Sequence, residues 1–87
     1  MSVAVQLTYA MAKELGAQRL DFEGAQTVAD VLRMTRERFA DAPARYDELT
    51  RVAAVAVNGV LVNYKRGMKT PVRDGDTVAF GKAAAGG

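Results

Sequence analysis

The strongest constraint on the fold is one amphipathic helix, which the sequence predicts at residues 28–39. Its apolar side chains fall on one stripe that should pack against a sheet, at Val28, Val31, Leu32 and Phe39. Thr27 and Asp30, three residues apart, match the capping box that begins many helices. Pro43 disfavours helical backbone at the residue before it, so the helix should end before that point. Residues 43–50 are then expected to cross the surface as a loop with some helical turn.

Strand patterns precede this helix. Residues 3–8 alternate large apolar side chains with small or polar ones from almost the first residue, and residues 18–23 alternate with Leu20 and Phe22 on one face. Residues 9–15 between them predict a short helical turn with Gly16 as its C-cap. The two strands should therefore pair as a hairpin whose connection is longer than a tight turn.

Further strand patterns follow the helix. Residues 52–57 form a nearly continuous apolar run, which predicts a central strand covered on both faces. The Asn-Gly pair at 58–59 is a strong hairpin signal before residues 60–62, and the turn at 74–76 leads into a last short strand at 77–80. This order predicts an α+β fold of the β-grasp type, with a mixed sheet of four or five strands and one main helix across it.

Composition narrows the range of functions. The chain has 87 residues, enough for one domain, and 12 Lys and Arg against 10 Asp and Glu give a net charge of +2, too small to indicate nucleic acid. The sequence has no His and no Cys, which excludes Ser-His-Asp and Cys-His catalysis, thiolate metal sites and disulfides. No apolar run approaches the roughly 20 residues of a membrane span, and no signal peptide is recognisable. We expect a cytoplasmic carrier, adaptor or subunit that is not an enzyme on its own.

Two polar stretches could bind ligands, and each has a simpler interpretation. Asp74 and Asp76 flank a glycine as in part of a calcium loop, but the rest of that loop is missing, which favours a solvated turn. A basic stretch beside Tyr64 comprises Lys65, Arg66, Lys69 and Arg73. It could contact phosphate or an acidic partner, although the small net charge favours a solvated loop. No metal site is predicted.

The last seven residues differ from everything before them. Residues 81–87 contain no large apolar side chain, so we expect a domain at 1–80 and a flexible C-terminal tail at 81–87. The last two residues are Gly86 and Gly87, and backbone without Cβ atoms can pass through a narrow channel. A terminal carboxylate becomes reactive once ATP adenylates it, and sulfur or an amine can then attack. Ordinary fraying of a low-complexity tail is the alternative interpretation.

Strand order and tail together resemble the ubiquitin-like sulfur-carrier family, which includes the small subunit of molybdopterin synthase and the thiamine-pathway sulfur carrier. The resemblance is carried by residues 27–32, 55–59 and 70–80 and by the Gly-Gly pair at 86–87. The length is more similar to the molybdopterin-synthase subunit. Residues 81–85 depart from the apolar, proline-containing segment usual before Gly-Gly in that group.

The resemblance implies a carrier mechanism. An E1-like adenylating enzyme would activate Gly87 with ATP, a sulfur donor would convert it to a thiocarboxylate, and a larger acceptor subunit would receive the tail. Gly86 would permit entry into the partner's channel, and the chain itself would bind no cofactor. Phe80, the exposed face of the last strands and Lys82 are candidates for partner docking. Core packing of Phe80 and simple solvation of Lys82 are the alternatives.

Three other functions stay open at this point. The same chemistry could serve thiamine, cysteine, tRNA thiolation or a specialised metabolite instead of molybdopterin. The activated carboxylate could instead be joined to a lysine of a target protein, as in a ubiquitin-like modifier. The chain could also be a β-grasp binding module whose tail is inert.

Overall fold

The computed structural model describes residues 2–51, 53–62 and 67–82, with the backbone alone at residue 82. The elements in chain order are β1 (Val3–Gln6), α1 (Tyr9–Leu15), β2 (Arg19–Phe22), α2 (Val28–Glu37), α3 (Pro43–Arg51), β3 (Ala53–Val57), β4 (Val60–Leu61), a 3-10 turn (Gly67–Lys69) and β5 (Thr77–Lys82). Within the described ranges, no helix has the length and apolar character needed to cross a membrane.

The strands form one five-stranded mixed sheet in the order β2-β1-β5-β3-β4. β1 and β5 run parallel, and every other neighbouring pair is antiparallel. The predicted mixed sheet and the β1–β2 hairpin are therefore confirmed. The prediction that residues 52–57 form the central strand is wrong, because β5 occupies the centre and β3 lies one strand from the edge. Ala54 and Ala56, on the outer side of β3, are only partly buried.

Local sequence signals explain most of the element ends. Thr27 accepts a hydrogen bond from the Asp30 amide while the Asp30 carboxylate accepts one from the Thr27 amide, which completes the predicted capping box. Asn58 and Gly59 adopt φ angles of 49° and 85°, as a type I′ hairpin turn requires. Gly16 ends α1 in the left-handed region, as predicted.

The core lies between the sheet and helices α2 and α3. Its fully buried members from the sheet and from α2 include Val5, Val55, Val78, Val28 and Val31. Phe39 and Tyr46 pack with ring centroids 5.3 Å apart, and Tyr46 meets Phe80 edge-on at 6.4 Å. The predicted burial of Val31 and Phe39 is confirmed, whereas Leu32 is only partly buried.

Three boundaries differ from prediction. α2 ends at Glu37, so Phe39 is buried from the turn that follows the helix. Residues 43–51 form a regular helix instead of the expected loop, because Pro43 stands at its first position, where a missing N–H costs nothing. β5 continues to Lys82, two residues beyond the predicted strand end, since Gly81 and Lys82 pair with Ala54 and Ala53.

Candidate functional site

The candidate site lies where the central strand finishes. Lys82 is the last described residue of β5 and pairs through its backbone with Ala53. Gly86 and Gly87 lie outside the described residues, as does the rest of the predicted tail beyond Lys82. Gly87 is the fifth residue after Lys82, and a fully extended chain of that length spans at most about 18 Å. Any protein that binds Gly87 must therefore also lie close to this end of the sheet, called here the tail-exit end.

Phe80 does not belong to the exposed surface of this end. Its side chain is 4% exposed, and its ring packs against Tyr46 on the helix-covered face. The prediction that Phe80 docks a partner is therefore wrong, and core packing is what the structure shows. The prediction that an acidic partner reads the Lys82 side chain stays a prediction.

Tyr9 is the most exposed aromatic residue at the tail-exit end. Since β1 and β5 run parallel, with Gln6 opposite Ala79, the residues that follow β1 lie beside the end of β5. Tyr9 opens α1 there and is 83% exposed. It borders a groove of about 490 Å³ together with Gln6 and Arg19, two side chains on the outer face of the sheet.

Gly81 is the second unusual residue at this end. It lies inside β5 with ordinary extended backbone, and a Cβ atom added to it would meet no described atom within 4 Å. Sequence reasoning placed Gly81 at the start of the tail and did not single out Tyr9. The available signal was a glycine directly after the four residues of the predicted last strand. Only the pairing with Ala54 shows that this glycine lies inside the strand.

The Asp-Gly-Asp turn is structural. Asp74 accepts a hydrogen bond of 2.6 Å from the Ser2 amide, and Asp76 accepts from the Arg73 amide and the Asn58 side chain. The hydrogen bond from Asn58, followed by that from Arg73, lowers the pKa of Asp76. Among the described residues, no group of three His, Cys, Asp or Glu side chains is placed to hold a metal ion.

The structure describes only part of the basic stretch. Tyr64, Lys65 and Arg66 lie outside the described residues, while Lys69 and Arg73 are exposed. Its contact with phosphate or an acidic partner therefore stays a prediction.

The family of the chain follows from its sequence match. The sequence profile of the ThiS family matches residues 6–87, nearly the whole chain. This chain belongs to the ThiS family. The resemblance to ubiquitin-like sulfur carriers is thereby confirmed. No curated protein matches the chain.

Solved structures support the same fold. A chain of the BexX/CysO complex of Amycolatopsis orientalis is 28% identical, with a TM-score of 0.71 over 98% of this chain and 99% of that one. The small archaeal modifier protein 1 of Methanosarcina acetivorans is 22% identical, with a TM-score of 0.74 over 99% and 96%. A chain in the complex of subunits 1 and 2 of the molybdopterin-converting factor from Helicobacter pylori is 22% identical, with a TM-score of 0.65 and full coverage of both. The predicted β-grasp fold is confirmed.

Proposed function

We propose that this chain carries sulfur as a thiocarboxylate at Gly87. The observation that carries the proposal is the ThiS-family match, which extends through the Gly-Gly pair to residue 87 on a chain with the matching fold. Composition supports it too. The 87 residues contain no Cys, so they offer no thiolate on which a persulfide could form. The carboxylate is the remaining group that can hold transferable sulfur.

The chemistry is assigned to a partner enzyme, because the sequence contains no Ser-His-Asp or Cys-His pair and no phosphate-binding loop motif. One carboxylate oxygen of Gly87 bonds to the α-phosphorus of ATP, and pyrophosphate leaves. Sulfide then attacks the carbonyl carbon of this acyl-adenylate, AMP leaves, and one oxygen of the carboxylate has been replaced by sulfur. The adenylating enzyme supplies the ATP site. Gly86 offers no Cβ to the walls of the channel that leads to it.

The sulfur acceptor is proposed to be a precursor of molybdopterin, bound by a larger partner subunit. The resemblance in length to the small subunit of molybdopterin synthase supports this choice, and the H. pylori relative is solved together with a second subunit. A different acceptor is the second candidate. It is favoured by the higher identity, 28%, to a chain of the BexX/CysO complex.

The carrier role is tested by intact mass. The wild-type chain, incubated with an adenylating enzyme of this family, ATP and sulfide, should gain the mass of sulfur minus oxygen. Deletion of Gly87 and the Gly86→Val variant should abolish this gain with an unchanged melting temperature. Ala84→Gly, a change in the same segment that leaves the Gly-Gly pair intact, should retain it. A truncated chain that still delivers sulfur at the wild-type rate would contradict the proposal.

The acceptor is tested separately. The thiocarboxylated chain is mixed with the large subunit of molybdopterin synthase and its precursor, and formation of molybdopterin is measured. Product supports the first acceptor. A stable thiocarboxylate without product would leave the carrier role standing and exclude this acceptor. Attachment of the activated chain to lysines of other proteins would instead indicate a ubiquitin-like modifier.

A further inference from the structure

The side chain of Asn58 completes the pairing of β3 with β5 at the hairpin turn. The Asn58 backbone amide donates to the Thr77 carbonyl at 2.8 Å, and the Thr77 amide donates back to the Asn58 side-chain oxygen, Oδ1, at 2.9 Å. In a regular antiparallel pair the second bond would go to the backbone carbonyl of residue 58. Here the side chain takes the place of that carbonyl, because the backbone of Asn58 has already entered the turn with a φ of 49°.

The other half of the same amide binds Asp76. Asn58 Nδ2 donates to Asp76 Oδ1 at 3.0 Å, while Asp76 Oδ2 accepts from the Arg73 amide at 2.8 Å. The hydrogen bond from Asn58 lowers the pKa of Asp76, so Asp76 is an ionised acceptor at neutral pH. An ionised carboxylate has no proton to donate, whereas an amide supplies one acceptor and one donor from the same group. Residue 58 therefore has to be an amide to hold both Thr77 and Asp76.

The residue after Asn58 favours a reaction that destroys this amide. The backbone nitrogen of a following glycine can attack the Asn58 Cγ atom, because no side chain shields that nitrogen. The nitrogen loses its proton, the new C–N bond closes a five-membered imide, and Nδ2 leaves as ammonia. Water then opens the imide at either carbonyl and leaves aspartate or isoaspartate at position 58. Gly59 is exposed, with no described atom within 4 Å of an added Cβ, so water reaches this turn.

The folded turn opposes ring closure. The imide forms only when the Gly59 nitrogen and Asn58 Cγ lie on the same side of the Asn58 Cα–C bond. In a type I′ turn the first central residue has a ψ angle of about +30°, which turns the next nitrogen nearly opposite to Cβ. The bonds to Asp76 and Thr77 also hold the amide against β5. The turn must therefore open before Asn58 reacts, and the rate follows the fraction of open molecules.

We propose that Asn58 is a deamidation site that the folded hairpin protects, and that deamidation permanently releases the β3–β4 turn from the start of β5. An aspartate at position 58 would lose the donor and place a second carboxylate about 3 Å from that of Asp76, where like charges repel. An isoaspartate would lengthen the backbone of the turn and shift the register of the hairpin. The inference concerns the lifetime of the fold and does not rest on the proposed carrier function, since Gly87 is unchanged.

The first test measures deamidation of the wild-type chain. The chain is incubated in mildly alkaline buffer, once folded and once in urea, and peptide mapping follows the replacement of NH by oxygen at position 58. Labelling by an isoaspartate-specific methyltransferase detects the second product. Asn58 should react at least about tenfold faster in urea than in the folded chain. The other asparagine in the sequence, Asn63, precedes Tyr64 and is the internal reference in urea, where it should react more slowly.

The second test asks whether the contact with Asp76 protects the amide. Asp76→Ala frees Nδ2 and should raise the rate in the folded chain several-fold. Asp74→Ala is the matched control, because it removes a carboxylate from the same turn that accepts from the Ser2 amide instead of from Asn58. Comparable rates in the two variants would contradict a specific role of the Asn58–Asp76 bond.

The third test imitates the product. Asn58→Asp should lower the melting temperature by about 4–8 °C, the shift expected when a hydrogen bond to a charged group is lost from a domain of this size. The double variant Asn58→Asp with Asp76→Asn exchanges the amide and the carboxylate and should recover part of this loss. These two variants still decide the matter if Asp76→Ala fails to fold.

Three results would overturn the inference. Equal rates at Asn58 in the folded chain and in urea would show that the hairpin gives no protection. Absence of product at position 58 in urea would show that Asn58 is not a deamidation site. A wild-type melting temperature for Asn58→Asp would show that loss of the amide does not release the turn. None of these results bears on thiocarboxylate formation at Gly87, which the intact-mass experiment tests separately.

Discussion

The two faces of the sheet differ in how they use apolar residues. On the helix-covered face, Val5, Val55 and Val78 are almost completely buried. On the outer face the strands carry small side chains in their middle, while Leu61 at one edge is 72% exposed. One face holds the fold together. The outer face leaves apolar surface exposed to solvent, and exposed apolar surface of this kind commonly marks a site where a partner binds.

Removing a large side chain from the helix-covered face is expected to have the largest effect on stability. Phe39→Ala should lower the free energy of unfolding by about 3–5 kcal/mol, because it leaves a cavity beside Tyr46. Urea denaturation measures the change. Tyr9→Ala is the matched removal of an exposed aromatic and should leave the midpoint nearly unchanged. A loss below about 1 kcal/mol for Phe39→Ala would show that this ring is not part of the main core.

Low pH is expected to destabilise the fold through three carboxylates. The pKa of Asp30 is lowered by hydrogen bonding to the Gln26 amide, that of Asp47 by Arg36, and that of Asp76 by the Asn58 side chain. A carboxylate whose folded pKa is lowered stabilises the fold above its unfolded pKa of about 4, and this stabilisation is lost as pH falls through the lower folded pKa. The melting temperature should therefore drop below pH 4.

The variant Asp76→Asn provides the control, because it removes one of these titrations and should make the acid-induced drop smaller. With no His in the sequence, the melting temperature should change little between pH 5 and 8. A transition near pH 6.5 would contradict this account.

The start of α2 offers a smaller test. Thr27→Ala removes the acceptor for the Asp30 amide and should cost about 1 kcal/mol. Thr27→Ser keeps a hydroxyl at the same position and should restore most of the stability in thermal or urea unfolding. Equal losses in the two variants would mean that the methyl group, rather than the cap, stabilises this end.

The signals at Thr27 and Asn58 were interpreted correctly from the sequence, and the signal at Pro43 was not. The cap at Thr27 and the turn at Asn58 each depend on residues within four positions, so both were predicted. The prediction of a loop after Pro43 was wrong. Pro43 disfavours helical backbone at the residue before it, which favours the end of one helix, but proline also suits the first position of the next helix. Tyr46 is buried, and its hydroxyl donates a hydrogen bond to the Leu32 carbonyl, which holds α3 against α2. This contact favours a helix over a loop after Pro43. The residues next to Pro43 in the sequence do not reveal it.

The candidate site shows the same division. Gly86 and Gly87 were singled out from the composition of the tail, and their role stays a prediction because they lie outside the described residues. Phe80 was misassigned, because the sequence did not show which set of alternating β5 side chains faces the helices. The pairing of β5 with β1 and β3 shows this. The same pairing turns Gly81 from a tail residue into a strand residue. Strand order is set by contacts far apart in the chain, so pattern reading alone does not supply it.

The smallest effect is the most informative about the outer face. Gly81→Ala should raise the free energy of unfolding by about 0.5–1 kcal/mol, because alanine reduces the entropy lost on folding and its methyl group meets open space. Gly59→Ala is the matched control: its φ of 85° strains an alanine, so that variant should be destabilised although its surroundings are equally open. Urea unfolding of the two variants measures both signs. If Gly81→Ala is destabilised as well, the strand itself requires glycine at this position.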